Sequence, residues 1–178
     1  MLDSAEIGFR KLSVDDMPLM HKWLNTDFVI QWYGKKRRSL EEVTEHYATR
    51  VNGEMLTKSF LILYEERPIG YIQAYRIQDD PDYSACVCVE EDAAGVDLFI
   101  GEEDYIHRGL GAVVLKKFLS EIVFQKFQVE SCIIGPEPEN KVAIRAYEKA
   151  GFRYLKTVQV TGEDEPEYIM RIGREDTT

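Results

Sequence analysis

A mixed, mostly antiparallel sheet with helices on both faces, an α/β chain of the α+β kind, is the fold class that this sequence predicts. Three observations lead to it. Short apolar segments of strand length recur along the chain, helix-capping residues precede amphipathic stretches, and a glycine turn opens the longest of those stretches. The predicted order is β α α β β β α β α β β, which is not a doubly wound sheet.

Residues 7–12 (IGFRKL) alternate apolar and polar as an opening strand does. Ser13, with Asp16 three residues on, caps a helix to about Asn25 that carries Met17, Met20, Trp23 and Leu24 on one face. Ser39 with Glu42 opens a second helix through Val43, His46 and Tyr47, and Asn52-Gly53 stops it. Between the two lies an aromatic connector, residues 28–34 (FVIQWYG). Residues 60–64 and 69–75 read as an antiparallel hairpin joined at Glu65-Glu66-Arg67-Pro68.

A long acidic, proline-containing loop from about Gln78 leads to the apolar strand 96–100. Loops of that length inside a compact domain are usually functional. After Gly101, a helix from about Gly109 to Lys126 places Val113, Val114, the Lys117 stem, Phe118, Ile122 and Val123 inward. Residues 131–134 form a short buried strand, and Pro136 and Pro138 force an extended connection. Asn140 then caps a helix through Tyr147 to Ala150, ended by Gly151. Strands at about 154–160 and 167–172 close the chain as a hairpin around residues 161–164.

With 178 residues, 44% of them hydrophobic, the chain suits a single domain spanning residues 1–178. No apolar run reaches the roughly 18 residues that span a bilayer, and the opening MLDSAEIGFRKL is charged where a signal peptide would be apolar. The expectation is a cytoplasmic protein with no membrane partner, as monomer or homodimer. Cys86, Cys88 and Cys132 supply too few ligands for a zinc site, so no metal is expected and all three read as small buried residues in strands.

The balance of 22 Lys and Arg against 32 Asp and Glu, a formal charge of −10, argues against nucleic acid and favours a small cationic partner. The excess is local: no Lys or Arg stands between Arg76 and Arg108, while acidic residues run from Asp79 to Asp104. Two readings fit, a solvated acidic loop and an electrostatic trap for a polycation.

The chemistry concentrates at His107-Arg108-Gly109-Leu110-Gly111-Ala112. A strand, a sharp glycine turn and a helix start converge unpaired N–H groups and the positive end of a helix dipole on one point, which suits a pyrophosphate. Gly109 and Gly111 would let phosphate oxygens approach, and Arg108 adds positive charge. The sequence has neither the GxxxxGK[ST] of a triphosphate loop nor the GxGxxG of a dinucleotide site.

Residues 97–112 (DLFIGEEDYIHRGLGA), followed by a helix, a strand and residues 140–152 (NKVAIRAYEKAGF), resemble the cofactor half of the Gcn5-related N-acetyltransferase (GNAT) superfamily. That resemblance implies a GNAT fold, acetyl-CoA as cosubstrate, and a pyrophosphate held by the loop His107 to Ala112. It implies that Asn140 and Ala143, on the helix beside the pantetheine arm, contact the cofactor, and that backbone amides near Phe99 and Ile100 polarise the thioester carbonyl. The superfamily motif usually has Gln or Arg three residues before the first glycine, where this chain has Ile106.

Asp97 interrupts an apolar strand, where a carboxylate is costly unless something pairs with it. By the resemblance it binds the acceptor ammonium and takes its proton, while Tyr147 donates a proton or hydrogen bond to the departing thiolate. Residues 17–24, 31–34, 68–75 and 95–101 are similar, in order, to segments of the aminoglycoside 6'-N-acetyltransferases. The resemblance implies acetylation of the 6'-amine of these antibiotics, with Trp32, Tyr33, Tyr71 and Gln73 as an aromatic wall with one amide handle and Asp82 attracting ammonium groups. Where that family carries an acidic residue before a proline, this chain has Gly135 before Pro136, with Glu137 and Glu139 nearby. Another acceptor amine (a polyamine, a siderophore hydroxylysine or a protein N-terminus) and a non-catalytic sensor of CoA or a cationic drug are the competing readings.

Overall fold

The computed structural model describes residues 3–177, which gather into two compact units, residues 3–73 with 98–108 and residues 74–97 with 109–177. Seven strands form one sheet in the order β1-β2-β3-β4-β5-β7-β6: β1 (Ile7–Lys11), β2 (Lys58–Tyr64), β3 (Arg67–Arg76), β4 (Ala93–Ile100), β5 (Ser131–Ile134), β6 (Arg153–Val158) and β7 (Glu167–Gly173). β1 pairs antiparallel with β2, and β7 with both β5 and β6, while β4 and β5 run parallel. Mixed, mostly antiparallel topology is thus as the sequence predicts.

In the first unit, α1 (Met17–Leu24), α2 (Asp27–Ile30) and α3 (Leu40–Val51) are the α-helices among the described residues. Ser39 and Glu42 form the expected reciprocal cap of α3: Glu42 N–H donates to Ser39 Oγ and Ser39 N–H to Glu42 Oε2. Before α1, Asp16 Oδ2 accepts from both the N–H and the hydroxyl of Ser13 at 2.8 and 3.2 Å, and Arg10 grips Asp16 with two nitrogens at 3.0 and 2.8 Å. Met17, Met20, Trp23 and Leu24 pack with Val43, Tyr47, Leu61, Tyr71 and Phe99 into this unit's apolar cluster. The aromatic connector is not irregular throughout, because residues 27–30 complete a helical turn begun by Thr26. The hairpin turn is tighter than expected. Glu65 and Glu66 alone make it, both with left-handed φ (47° and 64°), and Arg67 and Pro68 already belong to β3.

In the second unit, the acidic segment after Gln78 is a helix, not a loop: α4, Pro81–Val87. Asp80 caps it by accepting from Tyr83 N–H at 3.0 Å, and Pro81 occupies its first turn, where a missing N–H costs nothing. Cys86 and Cys88 therefore sit on and just after α4, half-buried and exposed, and only Cys132 is the buried strand thiol expected of all three. The long predicted helix begins as α5 (Leu110–Phe118), passes through a wide π turn (Leu119–Val123) and ends as α6 (Phe124–Lys126). Burial of Phe118, Leu119, Ile122 and Val123 holds that turn in place by packing. α7 (Lys141–Ala150) starts at Asn140 and ends at Gly151 in the left-handed region, as predicted. Glu91 ties this unit together, accepting from Arg171 Nε at 2.6 Å and Ser131 Oγ at 2.9 Å. Among the described residues, no helix is long and apolar enough to cross a membrane.

Gly101 ends β4 under the fully buried Trp23 indole: an added Cβ would stand 2.3 Å from Trp23 Cγ. Cγ lies at the root of the side chain and cannot swing aside, while Trp23 Nε1 is held by Glu102 Oε1 at 2.8 Å. Gly101→Ala is therefore expected to destabilise by about 1–3 kcal/mol, the usual cost of overpacking a closed site. Urea denaturation measures this; an unchanged midpoint would contradict it.

Candidate functional site

The second unit surrounds Asp97 with groups that feel its charge. The β4–β5 ladder registers Ala93, Ala94 and Gly95 against Ser131, Cys132 and Ile133, then ends, although β4 runs on. Asp97, half-buried, lies two residues past that last pair and on the same strand face as Gly95. The bare face of Gly95 is covered by Tyr75, whose Cζ and hydroxyl would stand 2.4 and 2.7 Å from an added Cβ. Tyr83, from α4, hydrogen-bonds with Tyr75 and donates its hydroxyl to Glu167 Oε2 at 2.7 Å. Glycine at position 95 is thus what admits a tyrosine beside the carboxylate.

Burial raises the pKa of Tyr75, Tyr83, Cys132 and Tyr147 above their ordinary values, with the Asp97 charge adding to it in all four and the nearer Glu167 adding more than Asp97 at Tyr83. All four stay protonated at neutral pH. Glu167 is pushed up from 4.5 to about 7, first by burial and then by the negative charges of Asp97 and Glu163, while the Tyr83 hydrogen bond pulls the other way.

Tyr147 projects from α7, half-buried, with its ring centroid 6.4 Å from that of Phe152. Its hydroxyl has no hydrogen-bond partner among the described residues. Asn140 Oδ1 is engaged by Ala143 N–H at 3.2 Å, so both motif residues serve the helix cap.

At the glycine turn, Gly109 has a left-handed φ of 76° and open space where a Cβ would be. No side chain caps α5, so the N–H groups of Leu110, Gly111 and Ala112 form an uncapped helix N-terminus, as an anion site requires. Gly111 differs from the expectation. A Cβ there would point at Ala146 of α7, 3.4 Å away, so its smallness concerns helix packing rather than access to the turn. In the first unit, His107 is exposed with φ 57°, and exposed Arg108 lies over the Tyr105 ring at 5.9 Å.

The expected acceptor wall is also in the first unit. Tyr71 is fully buried, stacks on Phe99 with centroids 5.7 Å apart, and its hydroxyl joins Ser59 Oγ at 2.8 Å and Gln73 Oε1 at 2.7 Å. Tyr33 packs edge-on against Phe99 at 4.8 Å, and Lys35 covers the Trp32 ring at 5.4 Å. Tyr71 is thus a core residue that orients the Gln73 amide, not an open surface. Ile100 is half-buried at the end of β4. Asp82 is exposed in the first turn of α4, and among the described residues no contact ties it to Asp97.

Residues 13–160 match the family model described as the acetyltransferase (GNAT) domain. The chain is a GNAT acetyltransferase. It is 28% identical over 166 residues to the aminoglycoside N(6')-acetyltransferase type 1 of Klebsiella pneumoniae, across 92% of this chain and 81% of that protein. Among solved structures, it superposes with a TM-score of 0.82 on aminoglycoside acetyltransferase AAC(6')-Ib in complex with paromomycin and acetyl-CoA, at 26% identity over 96% of this chain and 95% of that one. The same enzyme with coenzyme A and kanamycin gives a TM-score of 0.80, at 26% identity over 96% of both chains. The cosubstrate of this GNAT domain is acetyl-CoA, and the uncapped α5 N-terminus beyond Gly109 fits its pyrophosphate.

Sequence reasoning missed Tyr75, Tyr83 and Glu167. The one available signal for Glu167 was a carboxylate opening an apolar strand, on the same face as Ile169 and Arg171.

A carboxyl whose folded pKa exceeds its unfolded value contributes stability below the unfolded value and loses it as pH rises through the folded one. For Glu167 that window runs from 4.5 to about 7. Glu167→Gln should therefore melt higher than the wild type at pH 8, with the difference shrinking toward pH 5. Thermal melts across that range check it; a difference independent of pH would contradict the assignment.

Proposed function

We propose that this chain transfers the acetyl group of acetyl-CoA to a primary amine of a polycationic acceptor, and that this amine is the 6'-amine of an aminoglycoside. What carries the reading is the Asp97 cluster: a carboxylate ringed by neutral phenols and a second carboxyl is an environment built for cations. The similarity to the Klebsiella pneumoniae enzyme over 92% of the chain supports the choice of acceptor. The family match draws residues from both compact units, which supports treating them as one catalytic domain.

In this reading Asp97 attracts the acceptor as an ammonium, which gives one proton to solvent to free the attacking lone pair, and Asp97 takes the second proton as the C–N bond forms. A carboxylate suffices as base, because the nitrogen becomes strongly acidic once it bonds to the thioester carbon. The new C–N bond forms as the C–S bond breaks, with no acyl-enzyme. Tyr147 meets the departing thiolate with its unengaged hydroxyl. Its pKa lies above the ordinary 10 of a phenol, whereas a thiol titrates near about 8.5. Full transfer of the phenolic proton is therefore uphill, and Tyr147 acts by hydrogen bonding while the thiolate forms. The amides of Leu110, Gly111 and Ala112 hold the pyrophosphate, with His107 and Arg108 flanking. Asn140 and Ala143 fix the start of α7, and the Phe99 and Ile100 amides polarise the thioester carbonyl. Trp32, Tyr33 and Gln73 contribute to acceptor binding, and Asp82 to its electrostatic attraction.

Mixing the purified protein with acetyl-CoA and kanamycin or tobramycin should release free CoA, detected with a thiol reagent. Asp97→Asn should lower kcat/KM by about 100-fold or more, and Tyr147→Phe should lower kcat with CoA affinity unchanged. No release with either drug would sink the acceptor assignment. Release with polyamines or protein N-termini instead would select the competing substrates. Full turnover by Asp97→Asn would remove the proposed role of that carboxylate.

A further inference from the structure

Glu167 brings to the Asp97 cluster a carboxyl that no sequence motif marks. It opens β7, facing Gly135, the residue that follows β5. A Cβ added to Gly135 would stand 2.3 Å from Glu167 Oε2 and 3.1 Å from its Cδ. The carboxyl therefore fills the space that any side chain at position 135 would claim. Tyr83 fixes Oε2 from α4, and Tyr75 on β3 steadies Tyr83 in turn.

The charges that face this group are all of one sign. Asp97 on β4 and Glu163 in the hairpin loop both act on it as negative charges, while Tyr83 and Tyr75 are neutral phenols. Among the described residues, no Lys, Arg or His forms an ion pair with Glu167. A half-buried carboxyl beside a second carboxylate, held in place by a hydroxyl chain and given no cation, is poorly compensated by the protein itself.

We propose that Glu167 is the acceptor-specificity residue of this enzyme: it receives a second ammonium group of the acceptor while Asp97 takes the reacting amine, so preferred acceptors carry at least two cationic amines. The inference rests on the acetyl-transfer reading above and adds to it the residue that reads the second charge of the acceptor. A second ammonium supplies the missing counter-charge, and Glu167, with its pKa pushed up to about 7, gives up its proton to solvent as that ammonium binds. Gly135 is the complement of this arrangement, keeping open the space from which the carboxyl acts.

The test compares kanamycin, a polycation, with 6-amino-6-deoxyglucose, which carries a single amine. Glu167→Gln preserves the shape and an acceptor for the Tyr83 hydroxyl but removes the charge. It should raise KM for kanamycin about tenfold or more, leave kcat within about twofold, and leave CoA affinity and the response to the monoamine unchanged. Calorimetry of kanamycin binding at pH 6.5, in buffers of different ionisation enthalpy, should show proton release by the wild type that the variant lacks. An equal effect on both amines, or unchanged proton release, would overturn the proposal. So would a fall in kcat at constant KM, which would make Glu167 a base instead.

Should Glu167→Gln fold poorly, as judged by melting and CoA affinity, the comparison moves to Glu167→Ala with and without Gly135→Asp. The added Asp restores a carboxylate from the neighbouring strand and should tighten kanamycin binding about tenfold over Glu167→Ala alone; equal affinity contradicts the proposal. A wild type that acetylates neither amine brings down the acetyl-transfer reading and this inference together. A wild type active on kanamycin beside an unaffected variant brings down the inference alone.

Discussion

Placing a carboxylate inside a sheet strand obliges the surrounding residues to answer its charge, and the second unit of this protein answers around Asp97 with hydroxyls and a further acid. Tyr75, Tyr83, Cys132, Tyr147 and Glu167 come from β3, α4, β5, α7 and β7, and each has its proton affinity raised by burial together with that one carboxylate. The consequences point in one chemical direction. Phenols remain donors, the thiol remains inert, and the second carboxyl is poised near neutrality. Such an environment favours a cation and keeps a neutral hydroxyl available as a donor, which is what the proposed acetyl transfer asks of it.

Local backbone features make that constellation possible. The parallel ladder between β4 and β5 stops at Gly95 and Ile133, just before Asp97. Gly95 has no side chain where Tyr75 lies, and Gly135 has none where Glu167 lies. Both glycines are seats for other residues' polar groups, the Tyr75 phenol at one and the Glu167 carboxyl at the other. Gly109 has a different task, since its left-handed backbone begins α5 and presents the helix's first N–H groups uncapped.

The parts of the fold that depend on short-range physics were legible in the sequence. Capping pairs such as Ser39 with Glu42, the stop at Gly151 and the presence of the opening strand β1 are encoded within a few residues and recur as expected, although burial along β1 grades from Ile7 outward instead of alternating. Where the reading erred, a local signal was outweighed. Asp80-Pro81 marks a helix start, but the density of acidic residues around it suggested a loop, and α4 was missed. Cys86 and Cys88 were then misplaced as strand thiols for the same reason. Tyr71 looked like a wall because aromatic residues near a substrate segment invite that reading, whereas the chain packs it against Phe99. Glu167 was invisible for another reason: it meets Asp97 across a separation of seventy residues, with no motif joining them, and only the fold brings the two charges within reach.

Whether the Asp97 charge organises the site can be read from a single group. A carbon-13 NMR titration of the Glu167 side-chain carboxyl, in the wild type and in Asp97→Asn, reports the field directly. The account predicts a wild-type midpoint near the expected value of about 7 and a clear downward move toward 4.5 when the Asp97 charge is removed. Identical midpoints in the two proteins, or an ordinary glutamate midpoint in the wild type, would contradict it.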